Sequence, residues 1–428
     1  MSVDGQPRQR PPLRIILLTH FFAPEVGAAP NRLTRLAGLL QGRGHQVEVV
    51  APFPTYPAGT IPPAYRYRLG RREQVNGLPV HRLAVTPWAS RRALARIVHQ
   101  ASFMLSGGLR TLTLPRPHVL LVESHPLFVG LAAWVVGGLR RVPVVLNVSD
   151  LWPESAVAVG ALRGRRIIQL AEWMERRAYA GATEIIAMSR GIREGILRVV
   201  GAGRQEHVHL ITNSVEADRF RPDVDGAAMR ARLGLPPGAF VVGYLGNLGL
   251  AQKLETLLEA AHLLRDDPAI RVLLVGGGAC EPELRAYAAR LALPNVIFSG
   301  PLPFERMPEA LAAVDASAIL LKDAPVFTGV LPSKIFEAMA AGKPIVATLG
   351  GEAADLIREV GVGIVSPPED AAGLAGAIRR LQGDPALREQ MGRRGRAYAE
   401  AHLSPQAITD RIEAVLYRAA GDRSGGET

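Results

Sequence analysis

Cysteine, lysine and long apolar runs are scarce in this chain, and each scarcity excludes something. A single cysteine, Cys280, rules out an internal disulfide framework and any zinc or iron–sulfur site built on cysteine. Acids fall short of bases, 39 against 50, and the resulting charge of +11 suits nucleic acid, anionic lipid or an anionic substrate without choosing among them. No zinc-finger spacing and no aromatic-interleaved basic motif speaks for nucleic acid, so no nucleic-acid partner is expected. The longest apolar run, Leu127 to Leu139, has thirteen residues, short of the roughly 20 that a helix needs to cross a bilayer, and reads as a buried core helix. The N-terminal MSVDGQPRQRPPLR lacks the apolar stretch of a secretory signal; residues 1–12 read as a disordered tail and the chain as cytoplasmic.

Lysine is the more telling absence. Only Lys253, Lys322, Lys334 and Lys343 break a series of forty-six arginines, and none lies in residues 1–252. A lysine kept against such bias marks a place for a compact point charge that arginine's wide fork does not replace. Lys334 stands in LPSKIFEAMAAGKPIV, residues 331–346, where Pro332 suits the first helical position and Ile335, Ala338, Met339 and Gly342 form a packing stripe. Lys334 and Glu337, three apart, then share the other face. A cation in the first turn opposes the helix dipole by about 0.3–1 kcal/mol, unless an anion sits with it on the free N–H groups. The segment reads as a phosphate seat with a carboxylate beside it. Lys253 repeats the arrangement in GNLGLAQKLETLLEA, residues 246–260: it follows Gly246 by seven residues, with Asn247 in the same turn, and is expected in the first turn of a helix. Two such lysines could straddle a diphosphate. Lys343, in a helix-to-strand turn, reads as solvated surface.

Short β-branched or leucine-rich runs alternate with helical stretches from end to end, the pattern of parallel sheets covered on both faces. Strands are expected at 14–19, 47–51, 80–84, 119–123, 144–148, 184–187 and 208–211, then at 240–244, 271–275, 296–299, 318–321, 344–348 and 363–365. The fold class is therefore α/β with two doubly wound domains, 13–212 and 213–403, joined through the turn-rich segment 213–238; the resemblance described below implies that both are Rossmann-like. A helix over 404–420 is expected to pack back on the first domain before a tail, 421–428. In such sheets ligands sit beyond the C-terminal ends of the strands. Gly27, in HFFAPEVGAAPNR, lets backbone amides approach a phosphate or simply eases packing. ESHPLF offers Ser124 and His125, and NVSDLWPES offers Asp150, Trp152 and Glu154, as acid–base, acceptor-binding or hydrogen-bonded structural groups. GGGAC, 276–280, reads as wall, and Asp223 and Asp225 as a solvated linker pair. Residues 91–114, a basic amphipathic segment, lie on an anionic membrane surface or pack on the core.

HFFAPEVGAAPNR, VSDLWPES, ITNSVEADRF, GNLGLAQK and LPSKIFEAMAAGKPIV, in that order, resemble glycosyltransferase family 4, the retaining, metal-independent enzymes of GT-B fold. DLWPES with PSKIFEAMAAGKP is most similar to the bacterial subgroup named for L-fucosamine transferases of polysaccharide assembly. The resemblance implies a nucleotide-sugar donor, UDP-linked, held mainly by the second domain, and a polyprenyl-linked or saccharide acceptor held by the first. No metal or other cofactor is implied, and the enzyme would work peripherally on the inner face of the plasma membrane. Glu337 matches the glutamate that holds the donor ribose, Lys253 the lysine that neutralises the diphosphate, and Gly27 the backbone loop on the phosphates. Lys253, Lys334, His125 and Asp150 are the expected catalytic groups, with Gly246, Asn247, Thr328 and Gly329 also at the donor. Two departures stand out. Asn247 replaces a diphosphate-binding arginine of many relatives, and Gly329 stands where the E-x7-E pattern places its first glutamate, leaving Lys322, Asp323 and Thr328 as substitutes. A GT-B nucleotide-sugar epimerase and a non-catalytic scaffold at a membrane assembly remain alternatives. An NAD-dependent oxidoreductase lacks the G-x-G-x-x-G fingerprint.

Overall fold

The computed structural model describes residues 10–25, 27–55, 59–87 and 93–421. The first domain is built on eight strands: β1 (Arg14–Leu18), β2 (Gln46–Pro52), β3 (Gly70–Val75), β4 (Leu78–Leu83), β5 (Val119–Glu123), β6 (Val144–Val148), β7 (Glu184–Ala187) and β8 (Val208–Leu210). They lie in the order β3-β4-β2-β1-β5-β6-β7-β8, parallel except for β3. Its helices are α1 (Ala28–Gly42), α2 (Ala93–Thr113), α3 (Leu127–Arg140), α4 (Glu154–Ala158), α5 (Arg165–Gly181) and α6 (Arg190–Val200). β5, β6 and β7 are buried along their whole length, as continuous apolar runs between two helical layers should be. Residues such as Leu120 and Leu146 face α2, α3, α5 and α6, while Leu121 and Val145 face α1 and the C-terminal helix.

The second domain begins with α7 (Ala227–Arg232) and alternates β9 (Phe240–Leu245), α8 (Glu255–Leu263), β10 (Ile270–Val275), α9 (Glu281–Arg290), β11 (Val296–Gly300), α10 (Met307–Ala312), β12 (Ala316–Leu320), α11 (Ser333–Ala340), β13 (Ile345–Thr348), α12 (Gly351–Val360) and β14 (Gly363–Ser366). Helices α13 (Ala371–Gly383) and α14 (Pro385–His402) complete it, and its parallel sheet runs β11-β10-β9-β12-β13-β14. The last helix, α15 (Pro405–Ala419), returns to the first domain, where Ile408, Ile412 and Leu416 join the cluster around Ile15 and Leu17. Arg43 reaches Glu413 at 2.5 Å and Asp410 at 2.7 Å, and Arg418 reaches Glu184 at 3.2 Å.

Three expectations need correction. β3, GRREQV, was not expected because its side chains are charged and exposed; it is an edge strand whose hairpin is set by Asn76 and Gly77, both at positive φ. Residues 10–12 are not a loose tail, since the Tyr417 hydroxyl donates to the Pro11 carbonyl at 3.0 Å and Arg10 lies 5.0 Å over the same ring; residues 1–9 and 422–428 of the two expected tails fall outside the described residues. α3 is not a core helix: a helix covering one face of a sheet buries a single stripe, and Leu139 is 70% exposed.

Candidate active site

α11 starts without a capping side chain, but Pro332 occupies the cap with extended backbone, one residue earlier than expected, so Lys334 is the second helical residue. Its side chain lies across the turn that follows β9. A Cβ on Gly246 would fall 2.5 Å from Lys334 Cε and 3.0 Å from Nζ, and Gly246 sits at φ +135, so glycine is required there twice over. The ammonium stands 5.0 Å over the Tyr244 ring, while the Tyr244 hydroxyl donates to the Asn247 carbonyl at 2.7 Å and braces the turn. Gly276 and Gly278 pack on this turn so closely that a Cβ would meet the Gly246 and Leu248 carbonyl oxygens at 1.9 and 2.4 Å. GGGAC is therefore wall, as read from the sequence.

Lys253 is not in a helical first turn. It closes a 3₁₀ turn in the left-handed conformation, φ 46, two residues before α8. Among the described residues neither Lys253 nor Lys334 pairs with a carboxylate or donates a hydrogen bond, which leaves two cations at the C-terminal edge of one sheet without an ion-pair or hydrogen-bond partner.

Glu337, one turn beyond Lys334, lines a narrow recess shared with Phe220, Leu245, Met307, Leu311, Ser317 and Lys334. Burial pushes its carboxyl up to about 7, against the pull of Lys334, Arg35 and Arg219, with Glu216 adding to the rise. Arg35 comes from α1 of the other domain. It pairs with Glu216 at 3.1 Å and donates to the Ser214 hydroxyl at 3.3 Å, so the first domain reaches the hinge beside Glu337.

The first domain presents its own polar groups at its C-terminal strand ends. Gly27 is the uncapped start of α1, and a Cβ there would meet only Pro30 at ordinary contact distance. Buried Glu123 is fully satisfied: Arg32 lies 2.9 Å away, and the Asn147 amide and Ser149 hydroxyl each donate at 2.6 Å, so β5, β6 and α1 are locked together. Ser155 donates to Asp150 at 2.8 Å; burial raises the Asp150 carboxyl, opposed first by His125 and then by the Ser155 bond. His125 stacks on Phe21 at 6.0 Å, and its Nδ1 is buried without a hydrogen-bond partner among the described residues. Sequence reading missed His20, just before Phe21. Both of its ring nitrogens are buried without hydrogen-bond partners among the described residues, and burial, with His99 and then His125 adding to it, pushes it down to about 3. No spacing motif marks it; its place at the end of β1 was the available signal.

Two of the substitutes for a carboxylate at 329 already have protein partners. Thr328 spends its hydroxyl on the Pro325 carbonyl at 2.7 Å, and Lys322 crosses to the other domain, donating to the Ala158 carbonyl at 3.2 Å. Asp323 is exposed, its amide held by Glu369. Gly329 packs backbone to backbone on Gly191 at the start of α6, where a Cβ would come 2.8 Å from the Gly191 Cα. Ser189 donates to the Gly329 carbonyl, and both Glu352 oxygens accept from the Arg190 and Gly191 amides at 3.0 Å. Asp223 pairs with Arg221 and Asp225 accepts from the Ala227 amide, structural roles for the linker acids.

Residues 27–214 match the model of the glycosyl transferase 4-like domain and residues 226–398 that of glycosyl transferases group 1, so that between them the two models account for both lobes. The chain belongs to the group 1 glycosyltransferases. A relative named as a colanic acid biosynthesis glycosyl transferase, WcaI of Escherichia coli, is 26% identical over 407 residues, 92% of this chain and 98% of its own. Among solved structures, this glycosyltransferase is similar to sucrose-phosphate synthase from Thermosynechococcus elongatus, with TM-score 0.75 and 20% identity over 96% of this chain and 100% of that one. It is also similar to Anabaena Alr3699/HepE in complex with UDP-glucose, with TM-score 0.71 and 19% identity over 95% and 100% of the two chains. Both likenesses identify the GT-B fold.

Proposed function

We propose that this glycosyltransferase moves a sugar from a nucleoside diphosphate, UDP in the first instance, to a saccharide or lipid-linked acceptor in cell-surface polysaccharide assembly, with retention and without a metal. The observation that carries the reading is the placement of Lys334, which among the described residues makes no ion pair, and the half-buried Glu337 on the first two turns of an uncapped helix. A cation and a carboxylate so placed suit the two ends of a nucleoside diphosphate: phosphate oxygens on Lys334, Lys253 and the amides of α11, ribose hydroxyls on Glu337. HepE, of the same fold, was solved with UDP-glucose, and the WcaI relative carries a polysaccharide name; both favour this donor and this acceptor class.

In the transfer, the bond from the anomeric carbon to the β-phosphate oxygen breaks as the acceptor oxygen attacks that carbon from the same face. The acceptor proton passes to the departing diphosphate, whose growing charge Lys253, Lys334 and the helix amides stabilise where it develops. His125 and Asp150 stand on the acceptor side and orient the incoming hydroxyl. Calorimetric titration with UDP, followed by product analysis on a panel of UDP-sugars with EDTA present, tests the reading. Binding of UDP and an α-linked product from an α-linked donor are expected; a chain that binds no nucleoside diphosphate overturns it.

A further inference from the structure

On the first domain, the segment leading into β3 has side chains that neither the fold nor the donor site accounts for. Arg66, Tyr67, Arg68 and Leu69 precede the strand, Arg71 and Arg72 lie within it, and all six are exposed. Tyr67 projects fully into solvent from a left-handed backbone, φ 59, and Leu69 beside it is 91% exposed. A bulky side chain in that conformation costs free energy, and such residues cluster where ligands are held. Charge that keeps an edge strand from pairing with another chain explains Arg71 and Arg72, but not an exposed phenol and leucine beside them.

The segment is anchored from beneath. Arg82, 1% exposed, donates to Glu73 at 2.8 Å, to the Pro52 carbonyl at 3.3 Å and to the Ala23 carbonyl. The Tyr65 hydroxyl donates to Glu73 at 3.0 Å, and the Tyr65 ring lies 5.1 Å from that of Phe53. Glu73 is the one acid between residues 49 and 122, and this network uses it. Arg71 approaches Glu73 only to 3.7 Å, and among the described residues Arg68 and Arg72 make no ion pair. The guanidinium charge above the network is therefore largely uncompensated.

Topology places this charge on the acceptor edge. Gly70 pairs with Leu83 at the C-terminal end of β4, and the Leu69 carbonyl accepts from the Ala84 amide at 3.0 Å. His20 and His125 follow the same ends of β1 and β5. In the order β3-β4-β2-β1-β5, β3 lies four strand spacings from β5, about 19 Å at about 4.8 Å each. One sugar does not cover that distance; a chain of several does. We infer that the rim from Arg66 to Arg72 is a distal acceptor subsite that takes carboxylate-bearing sugars of an acidic oligosaccharide. Guanidinium forks match carboxylates two oxygens at a time, and the exposed phenol offers a flat face to the C–H side of a pyranose. The reacting end of the same chain then lies at His125 and Asp150. The inference rests on the saccharide form of the proposed acceptor and adds the sign of its charge.

Calorimetric titration of the full chain with hexagalacturonate, and with maltohexaose as the neutral hexamer, provides the test. The acidic hexamer should bind, more weakly as salt rises, and the neutral one on the order of tenfold less tightly. Arg68→Gln and Arg72→Gln should each weaken the acidic hexamer about threefold. Tyr67→Gly, which suits the left-handed backbone, should weaken it about fivefold. All three variants should keep the wild-type melting midpoint and UDP affinity. Hexagalacturonate that binds no tighter than maltohexaose overturns the inference, as do variants that bind it as wild type does. Polyglutamate of equal charge that binds as tightly, and is indifferent to Tyr67→Gly, also overturns it and assigns the rim to an acidic protein partner. A chain that binds the acidic hexamer but no UDP fails the donor reading and keeps the rim; the reverse result removes the rim alone.

Discussion

Replacing Glu337 with glutamine should make this enzyme more stable and poorer at holding its donor. A free glutamate has an ordinary value of 4.5, whereas burial lifts Glu337 to about 7. The folded state therefore holds the proton more tightly than the unfolded one, so stability falls as pH rises from about 4.5 to about 7 and the loss is complete above that. The gap corresponds to about 3 kcal/mol at 1.36 kcal/mol per tenfold. Water reaches the half-buried side chain, so about 2 kcal/mol is the figure to use. For a domain of this size about 1 kcal/mol moves the melting midpoint by about 2–4 °C. Glu337→Gln should thus melt about 4–8 °C higher than wild type at pH 8 and at the same temperature near pH 4.5, by scanning calorimetry without ligand. Titration with a UDP-sugar, which does not itself ionise in this range, should show the variant about 10–100-fold weaker at pH 8, the cost of hydrogen bonds to a charged acceptor. Wild-type affinity should fall as pH drops below 7 while the variant stays flat. A variant that melts no higher than wild type at pH 8, or an advantage that persists unchanged at pH 4.5, refutes the argument that Glu337 is a strained, unpaired carboxylate awaiting a ligand.

Lys334→Ala should lower turnover about a hundredfold, the value of one preorganised donor at a developing oxyanion, with stability changed by less than about 1 kcal/mol because among the described residues the ammonium makes no ion pair. Steady-state kinetics and a thermal melt check both halves. Gly329→Ala should keep UDP affinity but reduce turnover on the order of a hundredfold, because its Cβ, 2.8 Å from the Gly191 Cα, parts the two lobes; a larger radius of gyration in small-angle scattering is the structural readout. Burial would raise Glu184 and Glu413, but hydrogen bonds from His209 and His207 to the first, and from His45 and Arg43 to the second, outweigh it and hold both below 4.5. Their contribution to docking α15 is present above 4.5 and lost as pH falls through the lowered values, so proteolysis near α15 should set in only on the acid side of 4.5 and Glu413→Gln should shift its onset to higher pH.

The two parallel sheets were readable because buried strands announce themselves as apolar runs: β5, β6 and β7 were placed at their observed ends from such runs alone. β3 was not, because an exposed edge strand of arginines and glutamate has no apolar face to show, and only Asn76-Gly77 hinted at a hairpin. Lys334 and Glu337 were found because helical spacing fixes which side chains share a face. Lys253 was placed in a helix because a leucine-rich pattern follows it, but the pattern does not reveal the 3₁₀ turn that delivers the lysine in a left-handed conformation. His20 and the Arg35–Glu216 pair escaped notice for a different reason. Their significance lies in what tertiary packing brings to the cleft, across more than a hundred residues of chain in the case of Arg35, and no local periodicity encodes it.

Gly329 shows how a departure from a family pattern is reinterpreted by packing. Read as a missing carboxylate, it argued for a scaffold that had lost its chemistry. In the fold, the segment from Thr328 to Lys334 is held by backbone contacts on both sides: a Cβ on Gly351 of α12 would meet the Thr328 carbonyl at 2.0 Å, and one on Gly191 of α6 would meet the Gly329 Cα at 2.2 Å. A glutamate at 329 would force the lobes apart. The carboxylate that does act at this junction is Glu352, which caps the α6 amides from the opposite domain, while Ser189 returns a hydrogen bond to Gly329. The same short segment that leads into the Lys334 helix is thus the one that the first domain contacts. Glycine at 329 is what that contact requires, so its presence is explained by packing and carries no implication of lost activity.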